Sequence, residues 1–479
     1  MSSVQKNFIY NALLSLSQVV FPLITFPYVA RIILPSGIGQ VTFVESICRY
    51  AILFSALGIP IYGVREVAKI KNETFKLNKL FTELIVIHLV ITLLILVFFL
   101  MLIFIIPSLY ENARFYLFGV LWILSNVFMV EWYFQGIGQF KFITVRNVII
   151  KTIFTVLTFY LIKEKNDVLM YFFILVLTLI VNALVNFIYA LRSIKFDFAF
   201  NFNSLKRHFK PLLYIFSSIA FISIYTLMDT IMLGFMTDEK AVGFYTTGLK
   251  VSRIPMMFVG ALGVVLIPKL SEHFHNGNEK QFKCLINKSI NFVVTFSVPT
   301  AFIFFSLADN IIVTFAGIDF IGSGIVLQIL SVLSLLIGLS NVFGLQILTP
   351  MGKDKYLTYS VLVGMIISLS LNFILIPVYK EIGAAVSNVV AEIAVTIATI
   401  YFATKFIKIK IYWGFILKTV VFSIPILFIA MLVSQYVTNP IAIIVVTFIF
   451  SFIYYIPVQL YMVKNELLIE IKNKILNYI

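Results

Sequence analysis

Three basic residues lie inside long apolar segments of this chain: Arg49, Lys250 and Arg253. A charge at the depth of a bilayer costs at least about 3 kcal/mol on insertion scales, so it normally faces a water-filled cavity or a partner. Arginine carries a planar fork of N–H donors that matches phosphate oxygens, and lysine carries a compact point charge. These residue types in these positions predict a cationic cavity that binds an anionic solute.

Each of these charges also has a simpler explanation. Arg49 follows Glu45 by four residues on one helix face, so an ion pair between the two side chains is the alternative. Lys250 and Arg253 lie three residues apart on one face and repel each other, with no carboxylate within four residues of either. Something else must therefore satisfy them: Asp229 on the preceding apolar segment, a carboxylate of another helix, water or a ligand. In the simpler explanation Asp229 neutralises one of them, and in the functional one a phosphate of the solute bridges them.

Other charged residues of the apolar segments are further candidates. Arg31 ends the first segment, where snorkelling to the membrane interface explains it and an anion contact at the outer mouth is the alternative. Four carboxylates are candidates for coupling to an H⁺ or Na⁺ gradient, with structural ion pairs as the alternative: Glu45, Glu131, Asp229 and Glu392. The two cysteines lack metal-ligand spacing, and we expect neither a metal nor a cofactor.

The elements that position these residues follow from the composition. The chain has 479 residues, of which 61% are hydrophobic and 12% are charged, whereas soluble domains carry roughly 25% charged residues. A membrane-spanning helix needs about 20 mostly apolar residues. We predict an all-α integral membrane protein with about 14 transmembrane helices, at residues 8–33, 39–62, 80–106, 114–135, 142–162, 168–191, 211–236, 243–267, 285–307, 320–348, 356–377, 383–404, 412–434 and 439–463. The connecting loops are too short for a soluble catalytic domain, so catalysis would have to occur inside the helix bundle.

The net charge of +15 could suggest a nucleic-acid partner, but its distribution argues against one. Basic residues concentrate in alternate loops, for example at residues 65–79, at Lys141 and Arg146, and at residues 192–210, while the intervening loops carry few. This bias is typical of cytoplasmic loops in multi-pass proteins. The basic residues therefore indicate topology, with both termini in the cytoplasm.

The segment 39–49 recurs weakly as 243–253, with Arg49 and Arg253 in matching places. A basic residue follows each arginine by the same interval, at Arg65 and Lys269. Unless the similarity is due to chance, it predicts two six-helix lobes related by a parallel pseudo-two-fold axis, an architecture of transporters. The lobes are then residues 1–205 and 206–408, and residues 409–479 hold helices 13 and 14 and a cytoplasmic tail.

Prolines interrupt several of the predicted helices. Proline kinks a helix because its ring clashes with the preceding turn and its nitrogen carries no hydrogen. Pro22, Pro27 and Pro255 lie close to the charged positions. They are candidate hinges.

Four segments resemble Wzx-type polysaccharide flippases, which form the polysaccharide-transport branch of the multidrug/oligosaccharidyl-lipid/polysaccharide exporter superfamily. They are residues 26–39 (FPYVARIILPSGIG), 57–66 (LGIPIYGVRE), 131–136 (EWYFQG) and 383–385 (GAA). The resemblance extends along the whole chain.

The resemblance implies a two-lobed bundle with a cationic central cavity. It implies flipping of an undecaprenyl-pyrophosphate-linked oligosaccharide, such as an O-antigen, capsule or exopolysaccharide unit, across the bacterial cytoplasmic membrane by alternating access. Basic residues on helices 1, 2 and 8 handle cargo in this family, and Arg31, Arg49 and Arg253 match those helices. The lipid bilayer, a polymerase and a chain-length regulator of the same pathway are the implied partners.

Three other classes of protein compete with this interpretation. A MurJ-like lipid II flippase would share the helix number and the cationic cavity, but the motifs fit the Wzx type better. A MATE-type multidrug exporter would use carboxylates to bind cationic drugs. A membrane polymerase or ligase would need long outer loops with clustered catalytic side chains, and the outer loops here are short.

Overall fold

The computed structural model describes residues 3–198, 202–410 and 412–476, and these residues form helices and connecting turns without a strand. The all-α prediction is confirmed. By its internal contacts the chain divides into two compact units, Met1–Phe235 and Met236–Ile479. The lobes expected from the repeat, with a boundary after residue 205, stay a prediction.

Within the described residues, the first unit has nine α-helices, and the last of them ends at the boundary between the units. They are α1 (Ser3–Ala56), α2 (Ile59–Ile70), α3 (Thr74–Ile105), α4 (Pro107–Tyr110), α5 (Ala113–Ser125), α6 (Glu131–Gly136), α7 (Phe140–Leu161), α8 (Val168–Ala190) and α9 (Phe202–Met236).

The described residues of the second unit form eleven further α-helices and a π-helical segment at Val342–Leu348. They are α10 (Glu239–Ser252), α11 (Met256–His275), α12 (Glu279–Ser306), α13 (Ala308–Ala316), α14 (Ser323–Leu330), α15 (Leu333–Asn341), α16 (Asp354–Phe406), α17 (Trp413–Val421), α18 (Pro425–Tyr436), α19 (Pro440–Tyr461) and α20 (Glu466–Leu476).

The two longest helices are each broken once. Leu34 in α1 has φ 63° and ψ 175°, and the proline that follows it disfavours the helical ψ. Lys380 in α16 has φ 45° and ψ −126°, three residues after Pro377. The helix α16 therefore contains two predicted spans, 356–377 and 383–404. The helix α1 contains span 8–33 and most of span 39–62, which continues into α2.

Ten stretches of the described residues are long and apolar enough to cross a membrane, or eleven if the bent pair Ser204–Phe221 and Thr226–Met236 is one span. Two of the ten, Ile9–Ile70 and Asp354–Phe406, hold the broken helices. The predicted span 243–267 is interrupted, because α10 ends before Pro255 and α11 begins after it. The chain is a multi-pass membrane protein, and the exact count of fourteen spans is not confirmed.

A close contact between α2 and α6 organises the core of the first unit. A Cβ atom on Gly63 would lie 2.6 Å from Cε3 of Trp132, and a Cβ atom on Gly136 would lie 2.6 Å from Cγ1 of Val67. Helices associate in membranes largely through such close packing of small residues. Two of the four family-like segments, 57–66 and 131–136, therefore contact each other.

The C-terminal helices pack on α12 in the second unit. Ile303 and Leu307 form an apolar cluster with Ile426 of α18 and Ile443 of α19. After α19 the chain turns into α20, where buried Asn465 donates to Thr295 Oγ1 at 2.7 Å. An ion pair of 2.7 Å between Lys288 and Glu470 adds a second link between α12 and α20.

Asp238 joins two turns of the second unit. Its carboxylate accepts the backbone N–H of Ala241 at 2.8 Å, which caps α10, and it pairs with Lys380 Nζ at 2.7 Å. Lys380 is the residue at which α16 is broken. The pair therefore ties the start of α10 to the turn inside α16.

We predict that Gly63→Val destabilises the protein by about 1–3 kcal/mol, because the added methyl groups overpack against the buried indole of Trp132. The measurement is the midpoint of thermal unfolding in detergent. Gly414→Val is the matched control, since no atom lies within 4 Å of a Cβ at Gly414. Equal midpoints for the two variants would contradict the close packing of α2 and α6.

Lys380, by donating a hydrogen bond to the Asp238 carboxylate, lowers the pKa of that group below its usual range, and the backbone N–H of Ala241 adds to the effect. A lowered pKa means that the ionised carboxylate stabilises the fold at pH values above about 3.9, the pKa of aspartate in the unfolded chain. This contribution is lost as the pH falls through the lower pKa of the folded protein. We expect Asp238→Asn to unfold at a lower temperature than the native protein at pH 7, and the gap to close below about pH 4. The control is Asp354→Asn, which changes an exposed aspartate. A gap independent of pH would show that the pair with Lys380 does not stabilise the fold.

Candidate functional site

Arg49 lies in the second part of α1, and its predicted pair with Glu45 is present. Nη2 and Nε of Arg49 lie 2.6 and 2.9 Å from Glu45 Oε1, and the guanidinium lies 5.6 Å from the ring centre of Trp122. The arginine side chain is nevertheless 52% exposed. A guanidinium has five N–H donors, and Glu45 engages two of them. The pair therefore orients Arg49 and leaves it capable of contacting an anion, a role that stays a prediction.

Asp229 lies on α9 and Arg31 lies in the first part of α1, both in the first unit. Asp229 is buried in α9, at 1% exposure, and interacts electrostatically with Tyr50, the residue after Arg49. Tyr50 itself donates to the carbonyl of Ser223, also on α9, at 3.2 Å. Arg31 is exposed, one turn before the break at Leu34. Whether Asp229 neutralises a cation of α10 stays a prediction.

Lys250 and Arg253 lie at the C-terminal end of α10, and both side chains are exposed. Arg253 is the capping residue, and its backbone N–H bonds the carbonyl of Leu249 at 3.2 Å. The chain then turns at Pro255 into α11, which confirms the expected interruption by this proline. Cations are favourable at this end of a helix because the unpaired carbonyls make it negative. That interaction helps to explain why two like charges are tolerated together.

Glu392 lies on α16, which packs against α10. It is buried, at 7% exposure. One turn earlier Asn388 donates to the hydroxyl of buried Tyr245 on α10, at 3.4 Å. Glu392 therefore lies on a helix that is fastened to the helix carrying Lys250 and Arg253.

Glu131 begins α6 and forms an ion pair with Arg146 Nη2 on α7. The guanidinium of Arg146 also lies 5.7 Å from the ring centre of Phe142. The sequence had indicated Arg146 only as a loop residue that marks topology. Its side chain is instead just 4% exposed, and it joins two helices.

A buried ionic network in the first unit was missed by the sequence analysis. Glu83 on α3 is fully buried and accepts from Arg207 Nη2 at 2.8 Å, and it hydrogen-bonds His208 Nε2 at 2.9 Å. The other ring nitrogen of His208 hydrogen-bonds the hydroxyl of Tyr62 at 2.7 Å. The available signal was a carboxylate inside the predicted span 80–106. The network links α2, α3 and α9.

The predicted charged residues thus fall into two sets, one in each unit. Arg49, Glu45 and the segment of α9 around Asp229 lie together in the first unit. Lys250, Arg253 and Glu392 lie on the packed helices α10 and α16 of the second. The shared central cavity stays a prediction. Within the described residues, no three His, Cys, Asp or Glu side chains are grouped so that they could hold a metal ion.

Among curated proteins, a relative from Escherichia coli K12 named "Putative O-antigen transporter" is 25% identical over 399 residues. The match covers 82% of this chain and 95% of the relative. It extends over most of both proteins and is not confined to one motif.

Two solved structures share the fold. Lipid II flippase MurJ, in an inward closed conformation, superposes with a TM-score of 0.75 at 14% identity, covering 94% of this chain and 97% of that one. An inward-facing MATE family multidrug resistance transporter of the MOP superfamily has a TM-score of 0.60 at 11% identity, covering 81% and 94%. At these identities the likeness establishes the fold alone.

The sequence profile of one family covers more than half of the chain. Residues 4–274 match it, a range that includes Arg31, Arg49, Lys250 and Arg253. The family relationship expected from the four sequence segments is confirmed. The chain belongs to the polysaccharide biosynthesis protein family.

Proposed function

We propose that this protein is a flippase that moves a lipid-linked oligosaccharide across the membrane for polysaccharide synthesis. The family and the relative named as an O-antigen transporter support transport of such a molecule, and the shared fold is compatible with it. The observation that carries the proposal is Arg49, a half-exposed guanidinium within an apolar helix. Transport leaves the cargo chemically unchanged, so the protein is not an enzyme.

The physical problem of flipping is the charge of the head group. A phosphate group cannot enter hydrocarbon unpaired, because burying a bare charge costs far more than binding can return. Exposed arginines can replace the lost hydration with charge-assisted hydrogen bonds to phosphate oxygens. The lipid tail needs no such help and can stay in the bilayer throughout.

In the finer form of the proposal, the cargo is an undecaprenyl-pyrophosphate-linked repeat unit, and Arg49, Lys250, Arg253 and Arg31 contact its pyrophosphate or anionic sugars. In this form of the proposal, the protein gives its cargo alternating access to the two faces of the membrane. Asp229 and Glu392 are the buried candidates for coupling to an ion gradient, while Glu45 and Glu131 each hold an arginine.

The membrane and orientation follow from the same proposal. The protein lies in the bacterial cytoplasmic membrane with both termini in the cytoplasm, as the distribution of basic loops predicts. Cargo is then loaded from the cytoplasmic leaflet. A polymerase and a chain-length regulator would act on it at the outer face.

The rival flippase and exporter functions differ in their cargo. A lipid II flippase is compatible with the fold, because the likeness to MurJ does not identify the cargo. A multidrug exporter for cations is disfavoured by the exposed arginines, which repel a cationic drug. Transport assays with the protein reconstituted in proteoliposomes distinguish the oligosaccharide flippase, the lipid II flippase and the multidrug exporter, because each function predicts transport of a different compound.

We predict that Arg49→Ala and Arg253→Ala each lower the flipping rate by roughly tenfold to a hundredfold, the effect of losing a charge-assisted hydrogen bond. The measurement is the leaflet distribution of polyprenyl-pyrophosphate-linked oligosaccharide in cells that lack the native gene and carry one variant. Arg49→Lys should retain part of the rate, because it keeps the charge and loses the fork.

Exposed Arg114→Ala is the matched control and should flip at the native rate. Membrane levels of every variant are measured alongside. If the oligosaccharide reaches the outer leaflet without this protein, the proposed function is wrong. If Arg49→Ala and Arg253→Ala both clear cargo at the native rate, the function stands and these arginines are not its contacts.

A further inference from the structure

A groove of about 820 Å³ lies in the first unit, between the start of α7, the end of α8 and the first turns of α1. Its size is that of a small-molecule site. Polar side chains line one part of it, at Asn7, Gln139, Lys141 and Arg146. The role assigned to Arg49 does not involve this groove.

Arg146 is the buried and fixed side chain in the polar part of the groove. Its side chain is 4% exposed, and Nη2 is held by Glu131. Its Nε and Nη1 atoms are buried without a hydrogen-bond partner among the described residues. Leaving a donor of a charged group unsatisfied costs about 1–3 kcal/mol or more. A ligand that accepts these two hydrogen bonds would remove that cost.

The charges around the groove favour an anion. Lys141 is exposed at its edge, and the Glu131 carboxylate that pairs with Arg146 also interacts electrostatically with Lys151. One carboxylate is therefore shared by two cations, and a third cation lies beside them. The surplus is positive. Arginine and lysine together match the oxygens of one phosphate group.

The rest of the groove is apolar and opens toward lipid. Val145 and Ile149 line it and are 45% and 52% exposed. The same face of α7 continues beyond the groove with Ile153 and Val156, which are 51% and 60% exposed. A row of exposed apolar side chains on a membrane helix is a surface for hydrocarbon. The groove thus joins an anion site to an acyl-chain surface.

Packed rings hold the groove open in a fixed shape. Phe142 of α7 stacks on Tyr189 of α8 with 3.9 Å between ring centres and 15° between planes. The guanidinium of Arg146 lies over the outer member of this pair, Phe142. The polar end is therefore positioned by contacts that need no ligand.

We propose that this groove binds one anionic glycerophospholipid. Its phosphate accepts hydrogen bonds from Arg146 and pairs with Lys141, and one acyl chain lies along Val145 and Ile149. By the predicted topology these residues lie at the cytoplasmic leaflet. The site is separate from the proposed cargo contacts, and it does not depend on the proposed function.

The test is native mass spectrometry of the full-length protein in detergent, with added phosphatidylglycerol or phosphatidylcholine as the probe. One phosphatidylglycerol should bind more tightly than phosphatidylcholine. Lys141→Ala should weaken phosphatidylglycerol binding by roughly fivefold, the effect of one lysine on an anionic lipid. Arg146 is not substituted, because its loss would leave Glu131 unpaired and could unfold the protein.

Ile149→Trp fills the groove from an exposed position and should abolish the bound lipid. Ile153→Trp is its matched control, since Ile153 is equally exposed on the same face but does not line the groove. Equal binding of the two lipids, or native binding by Ile149→Trp, would overturn the proposal. A further result would also overturn the proposal: undecaprenyl pyrophosphate binds and is weakened by the same substitutions, whereas phosphatidylglycerol does not bind. The groove would then be assigned to cargo.

Discussion

A charge left unpaired in apolar surroundings is too costly to keep, and this constraint decides how the helices of the first unit are joined. Glu83 is fully buried and is held by Arg207 and His208 from another helix. Glu131 is held by Arg146, which is itself almost fully buried. Removing one partner from such a pair typically costs about 3–5 kcal/mol. These pairs therefore act as fixed joints between α3 and α9 and between α6 and α7.

The pair of Glu45 with Arg49 differs from these joints in two ways. Both residues lie on one helix, and the arginine is half exposed. An exposed pair four residues apart contributes only a few tenths of a kcal/mol to stability. The pair lies within α1 and orients the guanidinium, whose contact with another helix is its approach to the ring of Trp122 on α5. A charge that contributes so little to the fold is free to serve an exchangeable anion.

Breaks in the long helices place the charged residues at helix ends. Leu34 interrupts α1 shortly after Arg31, and Asp238 caps α10, the helix that ends with Lys250 and Arg253. Backbone groups freed at such breaks need new partners within a membrane. Asp238 meets this need at one break and binds Lys380 at another. The turn before α10 and the break in α16 are therefore both stabilised by one carboxylate.

The amino-acid sequence by itself determined the class of protein and several local features. Its apolar runs are long enough to require membrane-spanning helices, and its motifs indicated the family that the profile match confirms. The Glu45–Arg49 pair and the interruption at Pro255 followed from spacing and from the chemistry of proline. These features depend on residues close together in the chain, so local rules suffice to predict them.

Tertiary structure alone decided which distant charges meet and which remain exposed. Arg146 looked like a loop residue and is a buried partner of Glu131, and Glu83 gave no sign of its contact with His208. The close approach of Gly63 to Trp132 brings two separate motifs into contact. The exact count of fourteen spans is not confirmed, because ten or eleven stretches of the described residues are long and apolar enough to cross a membrane, and two of these stretches each hold a helix with a break. Sequence spacing reports neighbours along one helix, whereas the energy of an ion pair depends on which helices pack together.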